Sequence, residues 1–230
     1  GHPTGSPNSR SCQAGYYCPA ATPAQVACPA GTYQPSSQQW RADSCLLCPD
    51  GQFCEASALS APQGNCTGGY YCRRGSESRT PSGGIAPRTL MQNNNTVTLI
   101  VGGDVCRPGT YCPSGSAEEI QCAPGTASPD HGRAAACPQC PAGYFCETGS
   151  RNFTDFPCPR GYYCPAGTTQ SDLFPCPPAT YNNETRQHSL AACVDCDPGS
   201  FCAGEANSRP DGLCQSGFYC AGRSHTKAPP

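Results

Sequence analysis

Large aliphatic side chains are scarce in this chain. Leu, Ile and Val are thinly spread, and there is a single methionine. The 37% counted as hydrophobic shrinks once cysteine and alanine are set aside. A chain of 230 residues is long enough for one globular core. This one lacks the apolar side chains to build it, so crosslinks must take the place of burial. No apolar run approaches the roughly 20 residues of a membrane span. Charge is also sparse and unsorted. The net charge is −2, with acids and bases scattered, so neither a basic face for nucleic acid nor a charged face for a membrane surface is available. Gly1-His2-Pro3-Thr4 has neither a basic start nor an apolar run, so these residues are not expected to be a leader.

Cysteine, glycine and proline fill the gap, with 22, 26 and 26 residues. Cysteine near a tenth of the chain makes a disulfide scaffold the default reading. The even count lets every thiol pair, and such pairing persists only in an oxidising compartment. The chain is therefore expected to be secreted or extracellular, at the cell surface. The turn-rich backbone leaves little room for helix.

One motif recurs eight times: a cysteine, two residues, a glycine, two residues with an aromatic at the second, and a cysteine. It begins at Cys12, Cys48, Cys66, Cys106, Cys140, Cys158, Cys196 and Cys214. From Cys12 the gaps between cysteines are five, nine, 16, two, five, 11 and five residues, ending at Cys72. From Cys106 they are five, nine, 14, two, five, 11 and five, ending at Cys164. From Cys158 they are five, 11, 16, two, five, 11 and five, ending at Cys220. This is one eight-cysteine register seen three times, the second and third copies sharing Cys158 and Cys164. The register is already running at Cys12 and still running at Cys220, so the chain reads as a segment of something longer.

The predicted organisation follows. Residues 1–11 are a linker, 12–72 a first cysteine-rich module, 73–105 a cysteine-free insert, 106–157 a second module, 158–220 a third, and 221–230 an extended tail. Within the insert, Thr96-Val97-Thr98-Leu99-Ile100-Val101 is the one sustained β-branched, apolar run, and it predicts a strand. It either forms a hairpin inside the insert or adds to the edge of a neighbouring module or subunit. The fold class is small and disulfide-rich: an elongated tandem array of modules with short β-ribbons and almost no helix.

The glycine of each motif sits where the backbone must turn sharply. Thirteen of the 19 aromatic residues lie inside the motifs, so they are expected to form the core against the disulfides. Two pairings use all 22 cysteines. In the first, each motif closes on itself, as Cys12–Cys18, and each long loop closes as Cys28–Cys45, Cys122–Cys137 and Cys176–Cys193. In the second, neighbouring motifs cross. The crossed pairs are Cys48–Cys66 with Cys54–Cys72, Cys140–Cys158 with Cys146–Cys164, and Cys196–Cys214 with Cys202–Cys220. Cys12–Cys28 with Cys18–Cys45, and Cys106–Cys122 with Cys112–Cys137, belong to the same scheme, which leaves Cys176 to pair with Cys193. The scheme that keeps the long-loop pairs is preferred.

The Cys-x-x-Cys pairs Cys45/Cys48, Cys137/Cys140 and Cys193/Cys196 would suggest zinc or redox chemistry in a cytosolic protein. Here they recur in register, and His2, His131, His188 and His225 form no cluster, so disulfide ends are the better reading. Nothing resembles a nucleophile with its base, a paired acid site or a phosphate loop. The chain is expected to be no enzyme and to hold no cofactor or metal. Asn65, Asn94, Asn152 and Asn183 open glycosylation sequons, and the Ser/Thr/Pro-rich stretch near 76–87 suits O-linked sugar. Asn65 is the weakest, because Cys66 stands at its centre.

These motifs resemble the GCC2/GCC3 cysteine-rich repeats, also called ephrin-receptor-like repeats, related in style to EGF-like and TNF-receptor modules. The resemblance covers about 12–72 and 106–220. The cysteines, the paired aromatics and Gly15, Gly31, Gly51, Gly69, Gly109, Gly125, Gly143, Gly161, Gly199 and Gly217 carry it. It implies extracellular scaffolding in tandem arrays and no particular ligand. The insert at 73–105 departs from it.

The functional expectation is a structural extracellular glycoprotein, a stapled rod that builds a cell-surface, ciliary or flagellar, or matrix fibre with copies of itself. The alternative is a ligand-binding or adhesion ectodomain, for which Arg73, Arg74, Arg79 and Arg88 beside the insert are the only local basic concentration.

Overall fold

A computed structural model describes residues 10–92 and 95–229, with the backbone alone at 90–97. All 22 cysteines pair, and no thiol is free. The pairing is the self-closing one. Eight bridges close within a motif. Three close the long loops, as Cys28–Cys45, Cys122–Cys137 and Cys176–Cys193. The Cys-x-x-Cys pairs are therefore ends of separate cystines.

Short antiparallel ribbons join the motifs. β1 (Tyr16–Tyr17) pairs with β2 (Val26–Ala27), β3 (Thr32–Tyr33) with β4 (Leu46–Leu47), and β5 (Gln52–Phe53) with β6 (Gly64–Asn65). A three-stranded sheet follows, in the order β7-β9-β8, from β7 (Tyr70–Arg73), β8 (Gly84–Gln92) and β9 (Asn95–Val105). β10 (Thr110–Tyr111) pairs with β11 (Ile120–Gln121), β12 (Thr180–Tyr181) with β13 (Val194–Asp195), and β14 (Ser200–Phe201) with β15 (Gly212–Leu213). Helix is limited to three 3₁₀ turns among the described residues, at Ala42–Ser44, Phe153–Asp155 and Leu190–Ala192.

The chain divides into two compact units. One comprises the residues up to Arg107 with Tyr111–Ile120 and His131–Ala135. The other comprises Pro108–Thr110, Gln121–Asp130 and the residues from Ala136 on.

The core is cystine, which corrects the expectation of an aromatic core. Seventeen cysteines are buried, and no aromatic residue among those described is. The reason is thickness. A two-residue ribbon is too thin to enclose a ring, so the rings on the ribbons lie half-covered against their cross-strand neighbours. Tyr17 faces Val26 and Tyr33 faces Leu46 in this way. In the second unit, Phe145 meets Phe156 edge-on at 5.5 Å between centroids, and Tyr163 meets Phe174 at 5.5 Å.

The insert keeps the ribbon pattern. Tyr70 pairs with Val105, the residue before Cys106, as Tyr16 pairs with Ala27, the residue before Cys28. The expected strand at Thr96–Val101 lies inside β9, and its partners β8 and β7 are in the same chain, so the internal hairpin is the pairing present.

Candidate functional site

The repeated joint between motifs is the most elaborated arrangement in the molecule. Each joint is held by four backbone hydrogen bonds. In the first unit, the Cys66 N–H donates to the Gly51 carbonyl and the Gly51 N–H to the Cys72 carbonyl. The Gly75 N–H donates to the Cys48 carbonyl, and the Cys54 N–H to the Ser76 carbonyl. The second unit repeats the set: Cys176 to Gly161, Gly161 to Asn182, Arg186 to Cys158 and Cys164 to Gln187. The step from Cys106 to Cys122 is split. Gly132→Cys106 and Cys112→Arg133 fall in the first unit, while Cys122→Gly109 and Gly109→Ser128 fall in the second.

Followed through each unit, the same joint reveals eleven motifs rather than eight. The additional three begin at Cys28, Cys122 and Cys176, and they carry Gln34, Ser128 and Asn182 where the second cysteine stands elsewhere. All three polar residues are buried. Their first cysteine reaches instead to the far end of a long loop. The amide side chains of Gln34 and Asn182 do part of the work of the missing bridge. Gln34 donates to the Ser44 carbonyl and accepts from Ser36 N–H, while Asn182 donates to the Tyr162 carbonyl at 2.9 Å and accepts from Glu184 N–H at 3.0 Å. Ser128 is too short to do the same, and its Oγ finds no partner. Cysteine spacing alone does not mark these motifs, although their C-x-x-[Gly/Ala] openings carry the signal.

The motif glycines have a physical reason beyond the turn. A Cβ at Gly51 would sit 2.2 Å from the carbonyl oxygen of Gly115, two motifs further on, and one at Gly161 would sit 2.1 Å from that of Ala206. Both glycines have φ near +80°, a region costly for residues with a Cβ. A second left-handed position closes every joint and is often not glycine: Gln38, Ala58, Arg186, Ala206 and Arg223 all have positive φ. Sequence reasoning gave no sign of these.

The sequons are placed differently from one another. Asn183 is exposed together with Glu184 and Thr185. Asn65 lies exposed on β6, but its middle residue is the buried half of the Cys66–Cys72 cystine. Asn152 is half-buried, and its Oδ1 accepts the Thr154 N–H at 3.2 Å. Asn94 lies outside the described residues. The basic residues beside the insert are partly neutralised. Arg74 pairs with Asp50 at 3.3 Å and Arg88 with Glu77 at 3.2 Å, while Arg73 buries an Nε without a partner.

Two tyrosines are electrostatically marked. Burial, then the nearby Glu119 and Asp104 carboxylates, push the Tyr71 phenol above its ordinary value. Burial, then Asp197, whose carboxylate accepts the phenol O–H at 3.3 Å, raise Tyr181. Arg107 holds Glu119 through two nitrogens, and that pairing raises the guanidinium further.

Taken together, these features define a small disulfide-rich protein of tandem cysteine motifs joined by short β-ribbons. Its eleven cystines mark it as secreted or extracellular. No helix among the described residues is long and apolar enough to cross a membrane. No family model matches the chain, and no curated protein matches it either.

Proposed function

We propose that this chain is a structural segment of an extracellular glycoprotein, a cystine-stapled repeat array that builds a cell-surface, ciliary or matrix fibre. The observation that carries this reading is the joint. Each motif spends backbone donors and acceptors on the next motif, and the motif glycines from Gly15 to Gly161 each turn a bare face to a carbonyl two motifs on. Chemistry repeated at every joint serves mechanical continuity better than recognition of a single ligand. The texture of the motifs resembles that of ephrin-receptor-like (GCC2/GCC3) repeats, which fits an extracellular scaffold. N-linked glycans at the exposed Asn183 would cover backbone that a thin module leaves bare.

Electron microscopy of the native secreted protein tests the reading: fibres support it, and dispersed particles with a measurable affinity for a protein ligand favour the receptor ectodomain. The pairing of Arg74 and Arg88 with carboxylates speaks against the basic anchor that the receptor alternative needs. Deleting 93–103 adds a second check, with loss of assembly expected and unchanged assembly counting against a role for the insert.

A further inference from the structure

β9 is the central strand of its sheet, but its neighbours cover it unequally. β8 pairs along it from Gln92↔Asn95 to Gly84↔Gly103, whereas β7 reaches only Gly102 to Val105. The direction of the backbone groups follows from β7. Tyr70 N–H donates to the Thr67 carbonyl and Cys72 N–H to the Ser116 carbonyl, so Tyr71 and Arg73 are the residues that turn toward β9. Their partners are Asp104 and Gly102. Alternation along an antiparallel strand then turns the N–H and C=O of Ile100, Thr98 and Thr96 to the β7 side, and those of Val101 and Leu99 toward β8. β7 ends at Arg73, opposite Gly102. Beyond it, no backbone hydrogen bond to Thr98 or Ile100 on that side is made among the described residues.

The outer edge of β8 is closed in another way. Pro87 stands opposite Ile100, at a position whose nitrogen faces away from β9, so the middle of that edge has no donor. The sheet thus has one edge blocked by proline and one open. The open stretch, Thr98 to Val101, carries no charge. Ile100 and Ile85 stand on the same bare face, 46% and 49% exposed.

The geometry points to strand addition on this open edge, with a second copy of the chain as the partner. This rests on the fibre reading for the idea that copies touch, and it names where they do. The pairing is antiparallel with its two-fold at Thr98, so that Thr98 meets Thr98 of the second copy and Thr96 meets Ile100. Three features select this occupant. The open stretch is bounded by β7 at one end and by the start of β9 at Asn95 at the other, and a second β9 offers the same length with the same bounds. The stretch is neutral, so like meets like without repulsion. In the Thr98-centred register the outward groups of Thr98 meet those of the second Thr98, and those of Ile100 meet Thr96. A two-residue shift would set Thr96 against Gly102, whose groups are already engaged by Arg73 of its own chain. The contact is isologous and closes on itself.

Sedimentation equilibrium of the full secreted chain across the micromolar range tests this. The wild type is expected to dimerise. Ile100→Pro removes one outward donor while sparing the ladder to β8, and it should weaken the dimer about tenfold or more. Thr98→Lys sets like charges opposite each other and should make dimerisation salt-dependent, which serves where the proline variant does not fold. Hydrogen exchange supplies the geometric readout. The Thr98 and Ile100 amides should gain protection with concentration, while Leu99 and Val101 stay protected throughout. A wild type that is monomeric at every concentration, or a dimer that neither variant alters, overturns the inference. Fibres assembled from such a monomeric chain would overturn this contact and leave the fibre reading standing; dimers without fibres would do the reverse.

Discussion

Gly161 and Gly199 hold the same place in their motifs and the same left-handed backbone, with φ of +82° and +83°. Their surroundings differ, because a Cβ at Gly161 would overlap the Ala206 carbonyl, whereas nothing lies within 4 Å of one at Gly199. Gly199→Ala should therefore cost only the backbone strain, about 1–2 kcal/mol. Gly161→Ala should cost that plus overpacking, about 2–5 kcal/mol together. Urea midpoints of the two variants check the ordering, and equal midpoints would remove the two-motif contact from the account. Ser128 and Asn182 make a second contrast at equivalent positions. Asn182→Ala strands the Tyr162 carbonyl and the Glu184 N–H and should cost about 1–3 kcal/mol. Ser128→Ala removes a hydroxyl that has no partner and should be neutral or stabilising by up to about 1 kcal/mol. Tyr71 bears on alkaline stability. Its folded pKa is raised above the ordinary 10.0, so the neutral phenol is favoured by folding. That contribution is fully present below pH 10.0 and is lost as pH rises through the higher folded value. Tyr71→Phe should leave stability unchanged at neutral pH and flatten its fall above pH 10.0, read from urea unfolding at a series of alkaline pH values.

At the scale of the element, two classes of cystine do different work. The motif bridges span a sequence separation of six, and the long-loop bridges span 15 or 17. In the chain-entropy model these are worth about 2 and about 3 kcal/mol respectively. Replacing both members of Cys176–Cys193 with serine should thus lower the unfolding free energy more than replacing Cys196–Cys202, as denaturant midpoints would show. The ribbons and the β9 strand were legible in the sequence, because turn glycines and a lone Thr/Val/Ile run are strong local signals. The eleven-motif count was not, because Gln34, Ser128 and Asn182 break a cysteine pattern while keeping its backbone. The pairing of cysteines stayed ambiguous for a related reason: both schemes use every thiol, and only the ribbon geometry separates them. The closing left-handed residues were invisible because Gln38, Arg186 and Arg223 look like ordinary surface positions.

For the whole molecule, the consequence of a cystine core is an abrupt dependence on redox state. Among the described residues, no cluster of aromatic or large aliphatic side chains stands independently of the bridges: the buried cluster of Ala127, Cys140 and Cys146, with Tyr144 and Phe153 packed against it, is itself built on a cystine. Reduction and alkylation should therefore abolish amide protection throughout at room temperature, where a protein with a conventional core keeps part of it. Persistent protected amides in the alkylated chain would show that side-chain burial had been underestimated.

The ribbons also say how this scaffold keeps count. The links between one closed motif and the next opening cysteine are nine, 11 or 33 residues long, yet the residues flanking each link meet in the same pairing. Spacing is thus set by the motif and not by the length of chain between motifs. Any link is a port at which foreign sequence can be spliced as a hairpin, leaving the joints on either side untouched. β8 and β9 are a natural instance of such a graft.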